Sequence, residues 1–125
     1  MKSGRFPASV LICLALLAPL RAQNYTYVLG LIRDPSGASA PDAAITVVNE
    51  DTGFRRTTQS RPDGGYVVSS LQPGVYKITV RKTGFRTAIR FGVKLNPSQP
   101  ARVDFKLVVG SVQETVTVKS ATPQF

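Results

Sequence analysis

The sequence has no histidine, no tryptophan and a single cysteine among its 125 residues. Without histidine, the chain cannot form the Ser-His or Cys-His pairs that activate nucleophiles, and it lacks the usual zinc ligand sets. With one cysteine it cannot form an internal disulfide, so a folded domain must depend on its hydrophobic core. We therefore expect no enzyme activity, no metal site and no bound cofactor.

Acidic residues are also scarce. The chain has 7 Asp and Glu against 16 Lys and Arg, which gives a formal net charge of +9. Three of the acids, Asp34, Asp42 and Asp63, lie in turn sequences rich in glycine and proline. Aspartate commonly caps such turns through its own side chain, whereas calcium needs several converging oxygens. Turn capping is therefore the preferred interpretation of these aspartates.

The first 22 residues follow the order of a secretory signal. Lys2 and Arg5 form a basic head, residues 8–20 form a largely apolar run, and Ala22 offers a small residue for cleavage. The run is short for a transmembrane helix, so a cleaved signal is predicted, with an uncleaved anchor as the alternative. Cys13 lies inside the run rather than after it, which argues against lipidation.

Beyond residue 23 the hydrophobic pattern has the period of β-strands. Apolar and polar residues alternate in short segments separated by turn sequences such as Asp34-Pro35-Ser36-Gly37 and Gln72-Pro73-Gly74. About seven such segments recur at intervals of roughly ten residues. This spacing predicts an all-β, seven-stranded antiparallel β-sandwich over residues 24–109. The polar segment 54–60 is expected at a sheet edge, and residues 110–125 are expected to form a C-terminal strand or linker.

Five motifs occur in a fixed order along this segment. They are Gly30-x-Ile32-x-Asp34-Pro35-Ser36-Gly37, Pro41-Asp42-Ala43-x-Ile45-x-Val47, Asp63-Gly64-Gly65-Tyr66, Leu71-Gln72-Pro73-Gly74-Val75-Tyr76 and Gly84-Phe85. Their order and spacing resemble those of the carboxypeptidase regulatory-like domain. The resemblance implies a transthyretin-like (prealbumin-like), carbohydrate-binding-like β-sandwich with a non-catalytic role.

The segment after these motifs resembles a second feature of the same family. Residues 107–118 are similar to the stretch that follows this domain in Oar-like TonB-dependent receptors. The resemblance implies an exported structural or interaction domain in the periplasm or at the outer membrane, with secretion as the alternative. Membrane association is expected only through a barrel that is fused to this sequence or missing from it. The chain is then either a stand-alone module or part of a longer receptor, and residues 112–118 are a candidate docking edge.

Three pairs of basic residues are spaced four apart on predicted strands, which places the members of each pair on one side of their strand. The pairs are Lys77 and Arg81, Arg90 and Lys94, and Arg102 and Lys106. If their strands are neighbours, the six cations form one face that attracts an anionic envelope polymer or an acidic protein. The alternative is a solvated outer face whose charges prevent edge pairing. Nucleic acid is not an expected partner of an exported chain.

The fold that the resemblance implies also raises carbohydrate binding as an alternative function. Sugar sites generally combine exposed aromatic platforms with hydrogen-bonding side chains, and the chain has no tryptophan. Other Tyr and Phe residues, such as Tyr66 and Tyr76, fall on the inward period of their strands, which leaves four candidates: Tyr25, Tyr27, Phe54 and Phe91. Exposure of a pair of these rings side by side would favour this alternative, and their burial would exclude it.

Overall fold

The computed structural model of the chain describes residues 24–118, which contain nine β-strands. They are β1 (Thr26–Arg33), β2 (Ala44–Asn49), β3 (Arg55–Gln59), β4 (Gly65–Leu71), β5 (Gly74–Arg81), β6 (Thr87–Leu95), β7 (Ala101–Arg102), β8 (Phe105–Lys106) and β9 (Thr115–Val118). The predicted signal over residues 1–22 and the last residues of the tail, 119–125, lie outside the described residues. Within the described part, no helix is long and apolar enough to cross a membrane.

The strands form a two-sheet sandwich, which confirms the predicted all-β sandwich. One sheet has five strands in the order β3-β2-β5-β6-β9. The other sheet has four strands: β1 pairs with β4 on one side, and with both β7 and β8 on the other. The alternating apolar residues meet between the sheets, where Tyr66, Tyr76, Ile32, Ile45 and Leu71 are among the largest fully buried side chains. β3 lies at the end of its sheet, as its polar sequence predicts.

The prediction of seven strands, all antiparallel, was wrong in number and direction. β7 and β8 each pair parallel with β1, and β9 pairs parallel with β6. The chain leaves the five-stranded sheet after β6, contributes β7 and β8 to the other sheet, and then returns as β9. Parallel neighbours need a long crossover connection of this kind. Short-range turn signals do not report such a crossover.

The alternating segment 103–107 does not form one continuous strand. Between β7 and β8, a side chain interrupts the backbone hydrogen bonds to β1. The Asp104 carboxylate accepts a hydrogen bond from the backbone N–H of Leu31 at 2.8 Å. The carboxylate oxygen thus takes the position that a backbone carbonyl would occupy. On either side of this point, the N–H groups of Val103 and Leu107 donate to the carbonyls of Leu29 and Arg33 in β1.

A β-bulge changes the direction of side chains along β6. Tyr76 faces Val93, but two residues further along β5, Ile78 faces Arg90 instead of residue 91. The extra residue is accommodated at Gly92, whose φ is +69°, a conformation that glycine adopts readily. Side chains on the two sides of the bulge are therefore out of phase, which determines where the basic residues of this strand point.

Candidate functional site

The structure does not bring the six predicted cations onto one face. Lys77, Arg81 and Lys94 lie on the outer face of the five-stranded sheet, opposite outward residues of neighbouring strands. Arg90, four residues before Lys94, lies on the other side of the β6 bulge and points inward. Its guanidinium lies 5.0 Å from the ring centroid of the buried Phe105, a core residue of the other sheet.

The remaining pair belongs to the other sheet. Arg102 pairs with Leu29 and Lys106 with Arg33 of β1, so both occupy the opposite side of the sandwich from Lys77. Arg102 is also partly neutralised, since its Nε lies 3.2 Å from Oδ2 of Asp104. The i,i+4 spacing failed for Arg90 and Lys94, because the bulge at Gly92 lies between them. For the other two pairs it held, but the sequence did not show which sheet each strand would join.

A smaller cationic surface remains, and we call it the outer basic face: Arg55, Lys77, Arg81 and Lys94. Arg55 joins it because Val48 of β2 pairs with Arg55 on one side and with Lys77 on the other. None of the four forms one of the three ion pairs found among the described residues. The five strands of this sheet contain no Asp or Glu. The nearby carboxylate of Glu50 accepts from the N–H of Gly92 at 2.8 Å.

The four aromatic candidates are all exposed, by 41% to 49%, but they do not share one surface. Tyr27 lies on an exposed position of β1, and Phe91 lies at the β6 bulge, where Lys77 Nζ is 5.9 Å from its ring centroid. Tyr25 and Phe54, by contrast, line the same cleft. The structure therefore unites two of the four candidates and separates the other two from them.

This cleft, which we call the end cleft, has a volume of about 590 Å³. It lies at the end of the sandwich where β1, β3 and β5 begin and β2 and β4 end. Its lining combines aromatic rings with amides, hydroxyls and one guanidinium: Tyr25, Asn49, Thr52, Phe54, Arg56, Ser70, Gln72 and Tyr76. Sequence reasoning identified only Tyr25 and Phe54, because the polar residues come from two stretches, 49–56 and 70–72, that are distant in the sequence.

The turn between β2 and β3 fixes one side of the end cleft. The side-chain oxygen of Asn49 accepts from the N–H groups of Asp51 and Thr52, at 2.8 and 2.9 Å. The Asn49 N–H donates to the carbonyl of Phe54, which closes the turn. Asn49 is only 7% exposed, so its side chain is held rigidly within the lining. The aromatic ring of Phe54 is positioned by this short, well-bonded segment.

The opposite side of the end cleft is shaped by a second bulge. Thr26 faces Leu71 while Val28 faces Val68, so β4 contains an extra residue in this interval. Ser70, within the bulge, has a φ of +59°, which is uncommon for a residue other than glycine. Bulges of this kind redirect a side chain, and Ser70 faces the cleft. The hydroxyl of Tyr76 donates to the carbonyl of Gln72 at 2.6 Å and fixes the adjoining rim.

Among the described residues that line the end cleft, Arg56 is the one charged side chain. Its guanidinium carbon lies 5.2 Å from the ring centroid of Phe54, a cation–π arrangement that holds the arginine against the aromatic ring. Arg56 takes part in none of the three ion pairs of residues 24–118. Within residues 24–118, the positive charge of the cleft therefore forms no ion pair with an acidic side chain.

Two of the three turn aspartates, Asp34 and Asp63, accept hydrogen bonds from their own turns, whereas Asp42 makes no such side-chain bond among the described residues and has a φ of +60°. Oδ1 of Asp34 accepts from the N–H groups of Ser36 and Ala38 and from the Ser36 hydroxyl, and Oδ1 of Asp63 accepts from the N–H of Gly65. In the described part of the chain, no three acidic or cysteine side chains converge on a common point. These contacts are those of turn caps.

Sequence comparison identifies the class of protein to which this sandwich belongs. The carboxypeptidase regulatory-like domain matches residues 27–108, more than half of the chain, and the chain therefore belongs to that family. It is also similar to the TonB-dependent transporter Oar of Myxococcus xanthus, with 26% identity over 102 residues. That similarity covers 82% of this chain but 10% of the transporter, so the chain spans about a tenth of that protein's length.

Solved structures share the fold at low sequence identity. Hydroxyquinol 1,2-dioxygenase from Pseudomonas putida superposes with a TM-score of 0.56 and 14% identity, covering 73% of this chain and 58% of the enzyme. A Bacteroides uniformis protein provisionally named as carbohydrate-binding superposes with a TM-score of 0.57 and 17% identity. The superposition covers 70% of this chain and 43% of the Bacteroides protein. Similarity at this level establishes the shared fold alone, since one fold supports many functions.

Proposed function

We propose that this chain is a non-catalytic module of the bacterial cell envelope that presents a rigid β-sandwich surface to an anionic partner. The observation that carries the proposal is the outer basic face, whose four cations lie on sheet strands that contain no acidic residue. Family membership and the similarity to Oar support an envelope location. The absence of histidine supports a non-catalytic role.

The partner that fits this face best is a phosphate-bearing envelope polymer. Exposed lysine and arginine side chains attract such polyanions over a distance of about 10 Å at moderate salt. The strands hold Arg55 and Lys77 in one row across β2, so the positive charge is spread over a sheet surface instead of a single point. An acidic protein surface is the other partner class compatible with this arrangement.

Co-sedimentation with purified lipopolysaccharide tests this partner. We expect binding that weakens with added salt and that is lost with dephosphorylated lipopolysaccharide. Replacing Lys77 and Arg81 together by Gln should weaken binding about thirtyfold, because each surface cation contributes on the order of 1 kcal/mol near an anionic surface. The matched control replaces Arg102 and Lys106 by Gln, which removes the same charge from the other sheet. Equal losses in the two variants would contradict a role for the outer basic face.

The envelope location has its own test. Native cells are fractionated and probed with an antibody against residues 24–109. A band in the outer membrane that is much larger than 13.5 kDa is expected if the sequence is the front of a transporter, and a small periplasmic band if it is an independent module. A cytoplasmic band of either size would contradict the proposal.

Carbohydrate binding is the second candidate function, and the end cleft favours it. Tyr25 and Phe54 line this cleft together with side-chain amides and hydroxyls, the combination that sugar recognition requires. A volume of about 590 Å³ lies within the usual range of small-ligand sites. Binding of any oligosaccharide that is lost on Phe54→Ala would support this function, and saturation-transfer NMR measures it directly.

A further inference from the structure

We propose that the end cleft binds an acidic saccharide and that Arg56 pairs with the carboxylate of a uronate residue. This inference rests on the second candidate function, and it specifies the chemistry of the ligand. It concerns a surface distinct from the outer basic face, because Arg56 pairs with Val47, an inward residue of β2, whereas Arg55 pairs with the outward Val48. The ligand class follows from the shape of the cleft and from its excess of hydrogen-bond donors.

The shape favours a chain over a single small molecule. A second, more open depression of about 300 Å³ adjoins the end cleft, and both are lined by Tyr25 and Gln72. The second depression adds Asn24, Pro73 and Pro97 to the surface. Tyr25, which is 49% exposed, thus borders both depressions. A saccharide chain can place one sugar ring in each volume, whereas a monosaccharide would fill one.

The aromatic rings supply the packing surface. The faces of Tyr25 and Phe54 carry the partial negative charge of their π-systems, which attracts the weakly positive C–H groups on one side of a pyranose ring. Phe54 is 45% exposed even though the Arg56 guanidinium lies over it. A sugar that contacts Phe54 is therefore also within reach of the arginine.

The polar groups of the end cleft are richer in donors than in acceptors. Arg56 offers five N–H donors and no acceptor. The acceptor oxygen of Asn49 is already occupied by two backbone N–H groups, which leaves its amide nitrogen to face a ligand. No carboxylate is present among the described residues of the lining. A neutral sugar needs acceptors for its hydroxyl protons, whereas a uronate carboxylate supplies acceptors to these donors.

The supporting structure holds these donors in place before a ligand arrives. Asn49 is almost fully buried, and its two hydrogen bonds fix the rotamer. Ser70 is held in the left-handed region by the β4 bulge, with a φ of +59° that is strained for a residue other than glycine. A strained residue that lines a cleft is characteristic of binding sites. Rigid donors lose little entropy on binding, which favours a specific ligand.

Titration of the full chain with trisaccharides tests the proposal. The probes are trigalacturonate and trimannuronate, and neutral maltotriose is the uncharged comparison; binding is followed by calorimetry and by amide chemical shifts. We expect the uronates to bind and to perturb the amides of Thr52 and Gln72. Arg56→Gln should weaken uronate binding by roughly tenfold or more, the usual effect of losing a charged hydrogen bond. Phe54→Ala should weaken it about fivefold through lost ring contact.

Two matched controls make the result specific. Lys106→Gln removes the same charge from β8 of the other sheet, outside both the end cleft and the outer basic face, and Phe91→Ala removes an aromatic ring of similar exposure outside the cleft. Both controls should bind uronates as the unaltered chain does. If maltotriose binds as tightly as the uronates and Arg56→Gln has no effect, the acidic-saccharide proposal is overturned while carbohydrate binding stands. If neither class binds at millimolar concentration, both are overturned.

Discussion

The hydroxyl of Tyr66 donates a hydrogen bond to the backbone carbonyl of Val103, 2.5 Å away. Tyr66 is on β4 and Val103 lies next to β7, so the bond reaches across β1, which runs between them. The residue that Tyr66 faces on β1 is Gly30. A Cβ atom at Gly30 would lie 1.9 Å from the Val103 carbonyl oxygen. The absence of a side chain at Gly30 therefore lets the carbonyl approach and the tyrosine bond to it.

Removal of this hydroxyl should destabilise the fold. Burial raises the pKa of Tyr66, so the phenol stays protonated and donates at neutral pH. Tyr66→Phe leaves the buried Val103 carbonyl without this donor, which should lower the free energy of unfolding by about 1–3 kcal/mol. Urea denaturation measures the change, with an unaltered m value. Tyr76→Phe removes a hydrogen bond at the partly buried rim of the cleft and should lower the free energy of unfolding by less. An equal loss in the two variants would contradict the importance of the buried Tyr66 hydrogen bond.

Gly30→Ala tests the close approach itself. The added methyl group would meet the backbone of Val103, which cannot move without breaking its bonds to Leu29 and Tyr66. We expect a loss of about 3 kcal/mol or more, at the upper end of overpacking effects. Thermal unfolding of the purified chain measures it.

The control for this prediction is Gly65→Ala on the neighbouring strand. A Cβ at Gly65 would meet the guanidinium of Arg61, which is the far end of a flexible side chain and can move away. Gly65→Ala should therefore lower the stability of the fold much less than Gly30→Ala does. Comparable melting temperatures for the two variants would show that the Val103 backbone yields more easily than the geometry implies.

The turns of this fold were the part most open to prediction from sequence. In the Asp34-Pro35-Ser36-Gly37 turn, the N–H of Gly37 donates to the carbonyl of Asp34, and Gly37 has a φ of +93°. Every requirement of this turn lies within four consecutive residues, so sequence alone specifies it. The same holds for the alternation of β5, whose inward residues Tyr76, Ile78 and Val80 are all buried.

Features that depend on pairing between distant segments could not be predicted in the same way. Arg90 was expected to share a face with Lys94, but the bulge at Gly92 separates them. An isolated glycine within a strand is a weak local sign of a bulge, yet the register that makes it one is set by β5. The parallel pairing of β9 is likewise decided by the crossover through the other sheet.

The end cleft shows the same limit at the level of a site. Tyr25 and Phe54 stood out in the sequence as aromatic residues outside the inward pattern. Their partners Ser70 and Gln72 are ordinary polar residues near the end of another strand, and only the packing of β3 beside β4 brings them together. Composition identified the type of chemistry available, and the three-dimensional fold determined which residues could act jointly.

Ser60 provides a test of a buried polar contact in the core. Its hydroxyl donates to the carbonyl of Ala40 at 2.7 Å and accepts from the N–H of Ala43 at 2.8 Å. Ser60→Ala leaves both buried backbone groups unpaired, so the free energy of unfolding should fall by about 2 kcal/mol or more. Chemical denaturation measures this loss. Ser69→Ala, at an exposed position of β4, should change stability by less than about 0.5 kcal/mol, and a similar effect of both substitutions would refute the assignment.

Asp34 should make stability depend on pH in the acid range. The hydroxyl of Ser36 donates to its carboxylate at 2.6 Å, and this bond, with those from the backbone, holds the pKa of Asp34 below its ordinary value of 3.8. The unfolded chain therefore takes up this proton first as pH falls, so the stabilisation is present above about pH 4 and is lost through the folded-state pKa. Ser36→Ala should raise the pKa of Asp34 towards 3.8 in a carboxyl NMR titration. Asp34→Asn should remove this part of the acid dependence, and an unchanged Asp34 titration in Ser36→Ala would mean that the hydroxyl is not the main cause.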